Sequence, residues 1–226
     1  MSIARSSAEF TLWSVIRTHH GGTYLIPQPS LNGTKVAILV TDDFEEVELT
    51  EPRKALEQAG ASTKIVAPHS GTVQAMRHDE KSGTYPVDLT LDQANPDDFD
   101  AVLLPGGALN ADALRLQPKA QAFVRRIDEQ AKPIAVICHA PWLLVSAGLV
   151  GGRSMTSYAT LQDDIRNAGG HWLDFEVVRD RNWVSSRSPR DIPAFNQAMI
   201  ELIESRKARS GQQPGYAEAA PGVGLG

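Results

Sequence analysis

The chain has 226 residues, with 27 acidic and 22 basic side chains and a single cysteine. A chain of this length can bury a substantial core, and we find no second set of core elements. The slight acidic excess, and the absence of a basic block interleaved with aromatic residues, argue against a dedicated nucleic-acid site. One cysteine excludes an intrachain disulfide, and no apolar run approaches the roughly 20 residues that a membrane helix needs. We therefore expect a cytoplasmic protein with no membrane partner.

The two ends of the chain differ in composition from its middle. Residues 1–33 lack sustained periodicity and end in proline and glycine, so we predict an N-terminal extension that is poorly structured or bound to the surface. Its apolar run FTLWSVI is short and has no small-residue cleavage site after it, so a signal peptide is not expected. Residues 208–226 are rich in Gly, Pro, Ala and Gln, which is typical of a disordered tail. The domain is predicted to span residues 34–207.

Strands and helices alternate through the predicted domain. The run KVAILVT (35–41) predicts a buried strand, and a helix is expected from about Val47 to Ala59, ending at Gly60. Further strands are predicted at 63–67, 101–104, 134–137, 154–156, 175–179 and 182–185, a hairpin at 72–76 and 85–91 broken at 81–83, and helices at 112–116, 119–130, 160–168 and 192–207.

This alternation predicts an α/β fold, a doubly wound and mostly parallel sheet flanked by helices on both faces. In such sheets, ligands bind outside the carboxyl ends of the strands. Three segments are expected to meet there: the 42–48 turn, the Gly106–Gly107 turn and the turn after Ile137.

The segment KPIAVICHAPWLL (132–144) places Cys138 on a sharp turn between a strand and a helix, with Pro141 in the first helical turn. A side chain on such a turn faces the carboxyl end of the sheet, with backbone N–H groups close enough to bind an oxyanion. The nearby helix N-terminus is expected to lower the thiol pKa. The alternative is that a cysteine ending a buried strand is only a small, inert hydrophobic residue.

Other candidate residues belong to the same predicted rim. Glu48 would lie at the carboxyl end of the first strand, although acidic residues in a first helical turn also serve simply to complement the helix dipole. Gly106 and Gly107 permit positive φ angles and close backbone approach. Their spacing matches neither a Walker loop nor a dinucleotide fingerprint. The histidines form no cluster with ligand spacing, so we expect neither a metal nor a cofactor.

Four motifs stand out: TDDFEEVEL (41–49), LLPGGALNADALR (103–115), AVICHAPWLL (135–144) and SRSPRDIPAFN (186–196). Together they resemble the ThiJ/PfpI family of intracellular cysteine hydrolases. The resemblance extends over about residues 35–205. This family includes the Parkinson-associated deglycase, and the resemblance implies a flavodoxin-like fold of the class I glutamine amidotransferase-like group.

The resemblance also implies roles for individual residues. Cys138 matches the family nucleophile, and His139 matches the histidine that follows it in the protease-like branch. The alternative for His139 is a solvent-facing imidazole beside the turn. Glu48 matches the acidic residue that hydrogen-bonds the sulfur and relays a proton. Gly106 and Gly107 match the loop that supplies oxyanion donors alongside the backbone of His139.

The match is less regular at three further positions. Asp112 falls where the protease-like branch has an acidic residue that reaches the histidine of a neighbouring subunit, which implies that a dimer or hexamer completes the site. The turn before Asp112 is one residue longer than usual, and the alternative for Asp112 is a helix N-cap. Ala140, which we assign to the binding surface, replaces a usual glycine. Trp142 replaces a common glutamine, so we expect a narrower or more apolar mouth.

The leading hypothesis is a cofactor-independent cysteine hydrolase that acts on a small carbonyl substrate or on a glycated protein or nucleotide. The resemblance also offers peptide cleavage, but a Cys–His pair with a carboxyl group against the sulfur is better suited to reversible attack on aldehydes than to amide cleavage. One alternative is a stress-response chaperone or redox sensor that uses the same cysteine. Another is an isonitrile hydratase-like or amidotransferase-like enzyme, whose motifs match less closely.

Overall fold

The computed structural model of the protein describes residues 16–19, 22–25 and 30–211. The strands are β1 Ile16–His19, β2 Gly22–Leu25, β3 Lys35–Leu39, β4 Phe44–Glu45, β5 Ser62–Ala67, β6 Thr72–Arg77, β7 Glu80–Pro86, β8 Leu89–Thr90, β9 Ala101–Leu104, β10 Ile134–Ile137, β11 Ser154–Met155, β12 His171–Trp172, β13 Val177–Asp180 and β14 Trp183–Ser186. The helices are α1 Glu46–Gln58, α2 Ala108–Arg115, α3 Pro118–Glu129, α4 Pro141–Ser146, α5 Gln162–Asn167 and α6 Ile192–Gly211.

Seven strands form the central sheet, in the order β13-β14-β10-β9-β3-β5-β8. All neighbouring pairs are parallel except β13 and β14, which are antiparallel. Every residue of β9 and β10 is buried, as expected for parallel strands that are covered on both faces. The predicted α/β fold with a mostly parallel sheet is therefore confirmed.

The side chains of β3 alternate between two hydrophobic cores, one on each face of the sheet. Val36 and Ile38 belong to the core that includes residues of α1 and α6, whereas Ala37 and Leu39 belong to the core that includes residues of α3 and α4. This alternation follows from the two-residue period of a strand. Because both cores consist of closely packed, buried apolar side chains, they hold the strand ends, and the turns that follow them, in fixed positions.

The predicted hairpin differs from the observed one in the position of its turn. We expected a break at 81–83, but β7 runs through these residues, and β8 leaves the hairpin to join the central sheet. Glu46 holds β7 in place, because its carboxylate accepts hydrogen bonds from the Gly83 N–H and the Tyr85 hydroxyl. The turn instead includes His78, a non-glycine residue with a φ of 59°, which no turn motif in the sequence indicates.

Ordered structure extends beyond both predicted ends of the domain. Leu31 is fully buried, and its N–H donates to the Ala59 carbonyl, so ordered core packing begins before residue 34. At the other end, α6 continues to Gly211, beyond the start of the predicted disordered tail at residue 208. The paired strands β1 and β2 lie within the predicted extension. The remaining expectations for residues 1–29 and for 212–226 lie outside the described residues.

Helix α2 starts at Ala108, earlier than the predicted residue 112, because the chain enters it directly from the Gly106–Gly107 turn. Gly107 is its N-cap residue. Asp112 therefore lies inside the helix, and the N-cap alternative for this residue is wrong. In the described part of the chain, none of the helices combines the length and the apolar character needed to cross a membrane.

Candidate active site

The turns after β3, β9 and β10 meet at the carboxyl end of the sheet, as the sequence predicts, and border a cavity of about 780 Å³. Short segments from the β6–β7 hairpin and from the connection between β14 and α6 complete its walls. The lining residues are Asp43, Glu45, Glu48, Met76, His78, Asp79, Gly107, Ala108, Leu109, Cys138, His139, Tyr158, Ser188, Pro189 and Arg190.

Cys138 occupies a strained elbow between β10 and α4. Its φ of 62° lies in the left-handed region, which non-glycine residues rarely adopt. The elbow is held from both sides, because the Cys138 N–H donates to the Ser186 carbonyl and the Cys138 carbonyl accepts from the Tyr158 N–H. The residue is only 7% exposed, yet it lines the cavity. A ligand in the cavity can therefore reach it.

Glu48 is a completely buried carboxyl group in the first turn of α1. Its Oε2 accepts a hydrogen bond of 2.8 Å from the Gly106 N–H, and its Oε1 has no hydrogen-bond partner among the described residues. Burial raises the pKa of Glu48 to about 8, against the opposing effects of the hydrogen bonds with Gly106 and Cys138. The raised pKa therefore favours the protonated form of Glu48 at neutral pH.

The thiol of Cys138 has a raised pKa, in contrast to the lowered value expected from the sequence. Burial is the largest cause, followed by the negative charge that Glu48 carries once it ionises. The N–H groups of Gly107 and His139 act in the opposite direction and favour the thiolate. When Glu48 is protonated, it carries no negative charge to raise the thiol pKa, and its O–H can donate a hydrogen bond to the sulfur. The tendency of Cys138 to form a thiolate therefore depends on whether Glu48 is protonated.

The imidazole of His139 lies directly against the sulfur, and the side chain is half-buried at the cavity wall. Its Nδ1 is 3.1 Å from the Cys138 Sγ, and its Nε2 is 3.5 Å from the Thr160 hydroxyl. The ring stacks on Tyr158 with the centroids 4.6 Å apart. Burial lowers the pKa of His139, which favours a neutral imidazole able to accept or donate a proton at neutral pH.

Both glycines of the predicted oxyanion loop are required by close contacts. A Cβ atom on Gly106 would lie 2.5 Å from the Glu48 Oε2 and 2.6 Å from the Cys138 Cβ. Gly107 has a φ of 91°, and a Cβ there would lie 2.7 Å from the Asp43 carbonyl oxygen. The loop can therefore pass between the carboxyl group and the cysteine only because it carries no side chains.

Two predicted site residues lie away from the cavity. Asp112 is exposed on α2 and is not among the described residues that line the cavity. Ala140 is buried in a hydrophobic core, and its N–H donates to the Ile137 carbonyl. The side chain of Ala140 therefore packs in the core and does not line the cavity, and its N–H is already hydrogen-bonded.

Trp142, the residue expected to make the mouth narrower or more apolar, does not line the cavity in the described part of the chain. The ring of Trp142 lies beside that of His139, with the centroids 5.5 Å apart, and the Arg115 guanidinium lies over it. Trp142 thus packs behind the histidine, since among the described residues it is not one that lines the cavity. Polar side chains, including Asp79 and Arg190, occupy the cavity walls instead.

Sequence reasoning missed two residues that the fold brings to the site. Tyr158 reaches His139 because its backbone is hydrogen-bonded to the elbow, and no local pattern indicates this contact. Arg190 belongs to the quoted segment SRSPRDIPAFN, and its position after β14 was a usable signal, because β14 pairs in parallel with β10 and ends at the same rim. Within the described part of the chain, no group of three or more His, Cys, Asp or Glu side chains is arranged to hold a metal ion.

The fold and the site together define an α/β protein that presents a single buried cysteine on a strand-to-helix elbow. A family model described as the DJ-1/PfpI family matches residues 34–202. The chain belongs to this family.

Named relatives extend the comparison. The chain is 42% identical over 170 residues to a deglycase of Thermococcus kodakarensis, a match that covers 75% of this chain and 99% of the relative. It is 38% identical over 170 residues to an Escherichia coli protein named protein/nucleic acid deglycase 2, covering 75% of this chain and 97% of the relative. A two-domain Anabaena variabilis structure, with DJ-1/ThiJ/PfpI-like and ferritin-like domains, matches with a TM-score of 0.70 and 31% identity, covering 83% of this chain and 52% of that one.

Proposed function

We propose that the protein is a cofactor-independent cysteine hydrolase of reactive carbonyl compounds, which acts on free 2-oxoaldehydes or on their adducts with amines. The observation that carries this proposal is the completely buried carboxyl group of Glu48, which lies beside Cys138 at the wall of an accessible cavity and whose pKa burial raises to about 8. A proton held next to the sulfur assists attack on a carbonyl, since the carbonyl oxygen gains a proton as the bond to sulfur forms. The names of the relatives support the deglycase form of this activity.

The proposed reaction begins with addition of the Cys138 sulfur to the aldehyde carbon. The carbonyl oxygen takes a proton from Glu48 or His139, while the N–H groups of Gly107 and His139 stabilise its developing charge. With an amine adduct, the sulfur displaces the amine, which leaves with a proton. Either route yields the same hemithioacetal.

Completion of the reaction requires no external oxidant. Transfer of a proton from the former aldehyde carbon to the neighbouring ketone carbon oxidises the first and reduces the second, and the product is a thioester. Water then releases the 2-hydroxy acid and restores the thiol. Glu48 and His139 are the two groups beside the sulfur that can move these protons.

We infer that Asp112 acts across a subunit interface, toward the His139 of a second copy. Helix α2 supports this inference, because Leu109 and Leu116 are 63% and 72% exposed and share a helical face with Asp112. Leu109 also lines the cavity, so a partner covering this face would lie next to the site. The variant Leu116→Asp is expected to dissociate the oligomer and lower activity, which analytical ultracentrifugation and a lactate assay would measure. A fully active wild-type monomer would contradict the inference.

The sensor alternative receives less support from the site. A redox-sensing thiol is usually solvent-exposed, whereas Cys138 is buried. A chaperone role would not require the proton arrangement around the sulfur at all.

The test is lactate formation from methylglyoxal and from its adduct with N-acetyl-lysine, with a fluorogenic peptide assayed beside them. We expect lactate from the wild type, no turnover by Cys138→Ala, and a roughly 10²–10⁴-fold loss in Glu48→Gln. A chaperone would suppress aggregation equally well in both variants. If neither carbonyl substrate is turned over while the thiol still reacts with iodoacetamide, the proposed function is rejected.

A further inference from the structure

Asn110 is a fully buried polar side chain in α2 whose hydrogen-bonding groups are all engaged. Its Oδ1 accepts a hydrogen bond of 2.8 Å from the Thr41 N–H. Its Nδ2 donates to the Pro105 carbonyl at 3.1 Å and to the Gly106 carbonyl at 2.9 Å. This single amide therefore joins the end of β3, the turn after β9 and the first turns of α2.

The contact with the Gly106 carbonyl bears directly on the candidate site. The Gly106 carbonyl and the Gly107 N–H belong to one planar trans peptide, so they point in opposite directions. Because the Gly106 carbonyl is bonded to Asn110, the Gly107 N–H points away from Asn110. This N–H is one of the two backbone donors that favour the Cys138 thiolate.

Other contacts orient this peptide less strongly. The Gly106 carbonyl also accepts from the Glu45 N–H, but at 3.4 Å. Glu48 holds the Gly106 N–H, which belongs to the preceding peptide. Because glycine adopts positive and negative φ almost equally well, a Gly–Gly peptide reorients with little cost unless another group holds it. The short bond from Asn110 supplies that restraint.

We propose that Asn110 is a positioning residue that orients the Gly106–Gly107 peptide. In this orientation the Gly107 N–H faces the Cys138 sulfur and the oxyanion that forms when this sulfur attacks a carbonyl group. The oxyanion part of this inference rests on the proposed function, whereas the effect on the thiol does not. A purely structural role for Asn110 is the alternative, since a buried amide that joins three segments also stabilises the fold.

Asn182 provides a matched control at the opposite end of the sheet. Its Nδ2 also donates two hydrogen bonds, to the Asp128 Oδ1 and to the Lys132 carbonyl, both at 2.9 Å. Its Oδ1 accepts one, from Arg153. Asn182→Ala therefore removes the same number of hydrogen bonds as Asn110→Ala, far from the cavity, although Asn182 is half-buried and two of its partners, Asp128 and Arg153, are charged.

The experiment compares these two variants with the wild type in the rate of iodoacetamide alkylation of Cys138 across pH, and in kcat and KM for lactate formation. Asn110→Ala is expected to shift the alkylation profile to higher pH, because the thiolate loses an aligned N–H, and to lower kcat at least tenfold with KM changed less than twofold. Asn182→Ala should also lower the melting temperature and leave both readouts unchanged.

The proposal is overturned if Asn110→Ala lowers the melting temperature but keeps the wild-type alkylation profile and kcat. Alkylation requires no substrate turnover, so its result can be read even if the proposed function fails. If Asn110→Ala does not fold, Asn110→Ser is measured in its place. Its shorter side chain can engage only part of the network, and the same upward shift of the alkylation profile is expected.

Discussion

Strands β10 and β14 carry buried polar clusters at both ends, and the two clusters differ in how completely their hydrogen bonds are formed. At the amino end, the Asp128 Oδ1 accepts bonds from Arg153 at 2.7 Å, from Asn182 at 2.9 Å and from the Trp183 indole at 2.7 Å. The Arg153 guanidinium also lies over the Trp183 ring. This amino-end cluster is well satisfied, which is typical of groups that stabilise a fold.

The carboxyl-end cluster, formed by Glu48, Gly106, Gly107, Cys138 and His139, is incompletely satisfied. The Glu48 Oε1 has no partner among the residues described, and Cys138 has a left-handed backbone. Such features cost folding free energy and persist where the surrounding structure enforces them. The comparison indicates that polar burial serves stability at one end of the strands and reactivity at the other.

The largest expected effect on stability comes from breaking the amino-end cluster. Asp128→Ala leaves the nearly buried Arg153 without its carboxylate, so we expect a loss of about 3–5 kcal/mol in the free energy of unfolding. Urea denaturation measures this loss. The alkylation rate of Cys138 should remain unchanged at temperatures where the variant is folded. An altered alkylation rate would show that the two clusters are coupled.

The second largest effect is expected from Glu48→Gln, which should change how the stability of the protein depends on pH. The unfolded carboxyl has a pKa near 4.5 and the folded one about 8, so the folded state binds the proton more tightly. The contribution of this tighter proton binding to the free energy of unfolding is fully present below pH 4.5 and is lost as the pH rises toward 8. Between pH 4.5 and 7 the wild type should lose on the order of 3 kcal/mol from this group.

Glu48→Gln should remove this part of the pH dependence. Denaturation curves measured at several pH values for the wild type and the variant provide the test. Parallel pH profiles for the two proteins would contradict a protonated, buried Glu48.

A smaller effect is expected from Gly106→Ala. Its Cβ would overlap both Glu48 and Cys138, so we expect a loss of about 1–3 kcal/mol in stability together with slower alkylation. Gly151→Ala is the matched control, because the nearest atom to its Cβ would be 3.7 Å away. Thermal unfolding and alkylation rates would distinguish the two variants. If the two variants unfold at the same temperature and are alkylated at the same rate, the close contacts of Gly106 with Glu48 and Cys138 do not restrict a side chain at this position.

The smallest effect is expected from removing the ring that stacks on His139. Such ring pairs contribute about 0.5–1.5 kcal/mol, so Tyr158→Leu should reduce kcat by about two- to tenfold. Tyr158→Phe keeps the ring and should retain nearly wild-type kcat. If the phenylalanine variant is as slow as the leucine variant, the Tyr158 hydroxyl matters and the stacking does not.

Much of the fold was predictable because β3, β9 and β10 are short apolar runs buried on both faces. The elbow was predictable as well, since the strand, the Cys138–His139 pair and Pro141 follow each other directly in the sequence. The turn at His78 was not, because a non-glycine residue adopts the left-handed conformation there without a sequence signal.

The chemical properties of the site depend on contacts between distant segments, and these the sequence did not reveal. The direction of the thiol pKa shift was wrong because burial of Cys138 and the charge of Glu48 outweigh the neighbouring N–H donors. Tyr158 was missed because its contact with His139 arises only when separate turns meet. Asn110 was missed because its role depends on the exact path of the turn four residues before it and on a bond to the distant Thr41 N–H.

The most direct test of this account is the pKa of the Glu48 carboxyl group in the wild-type protein. A carbon-13 NMR titration of the glutamate side chains would measure it, with the Glu48 resonance assigned by its absence in Glu48→Gln. We expect a midpoint near pH 8, as burial beside Cys138 requires. A midpoint near the ordinary value of 4.5 would mean that Glu48 is ionised at neutral pH. The proposed proton transfer to the substrate would then be contradicted.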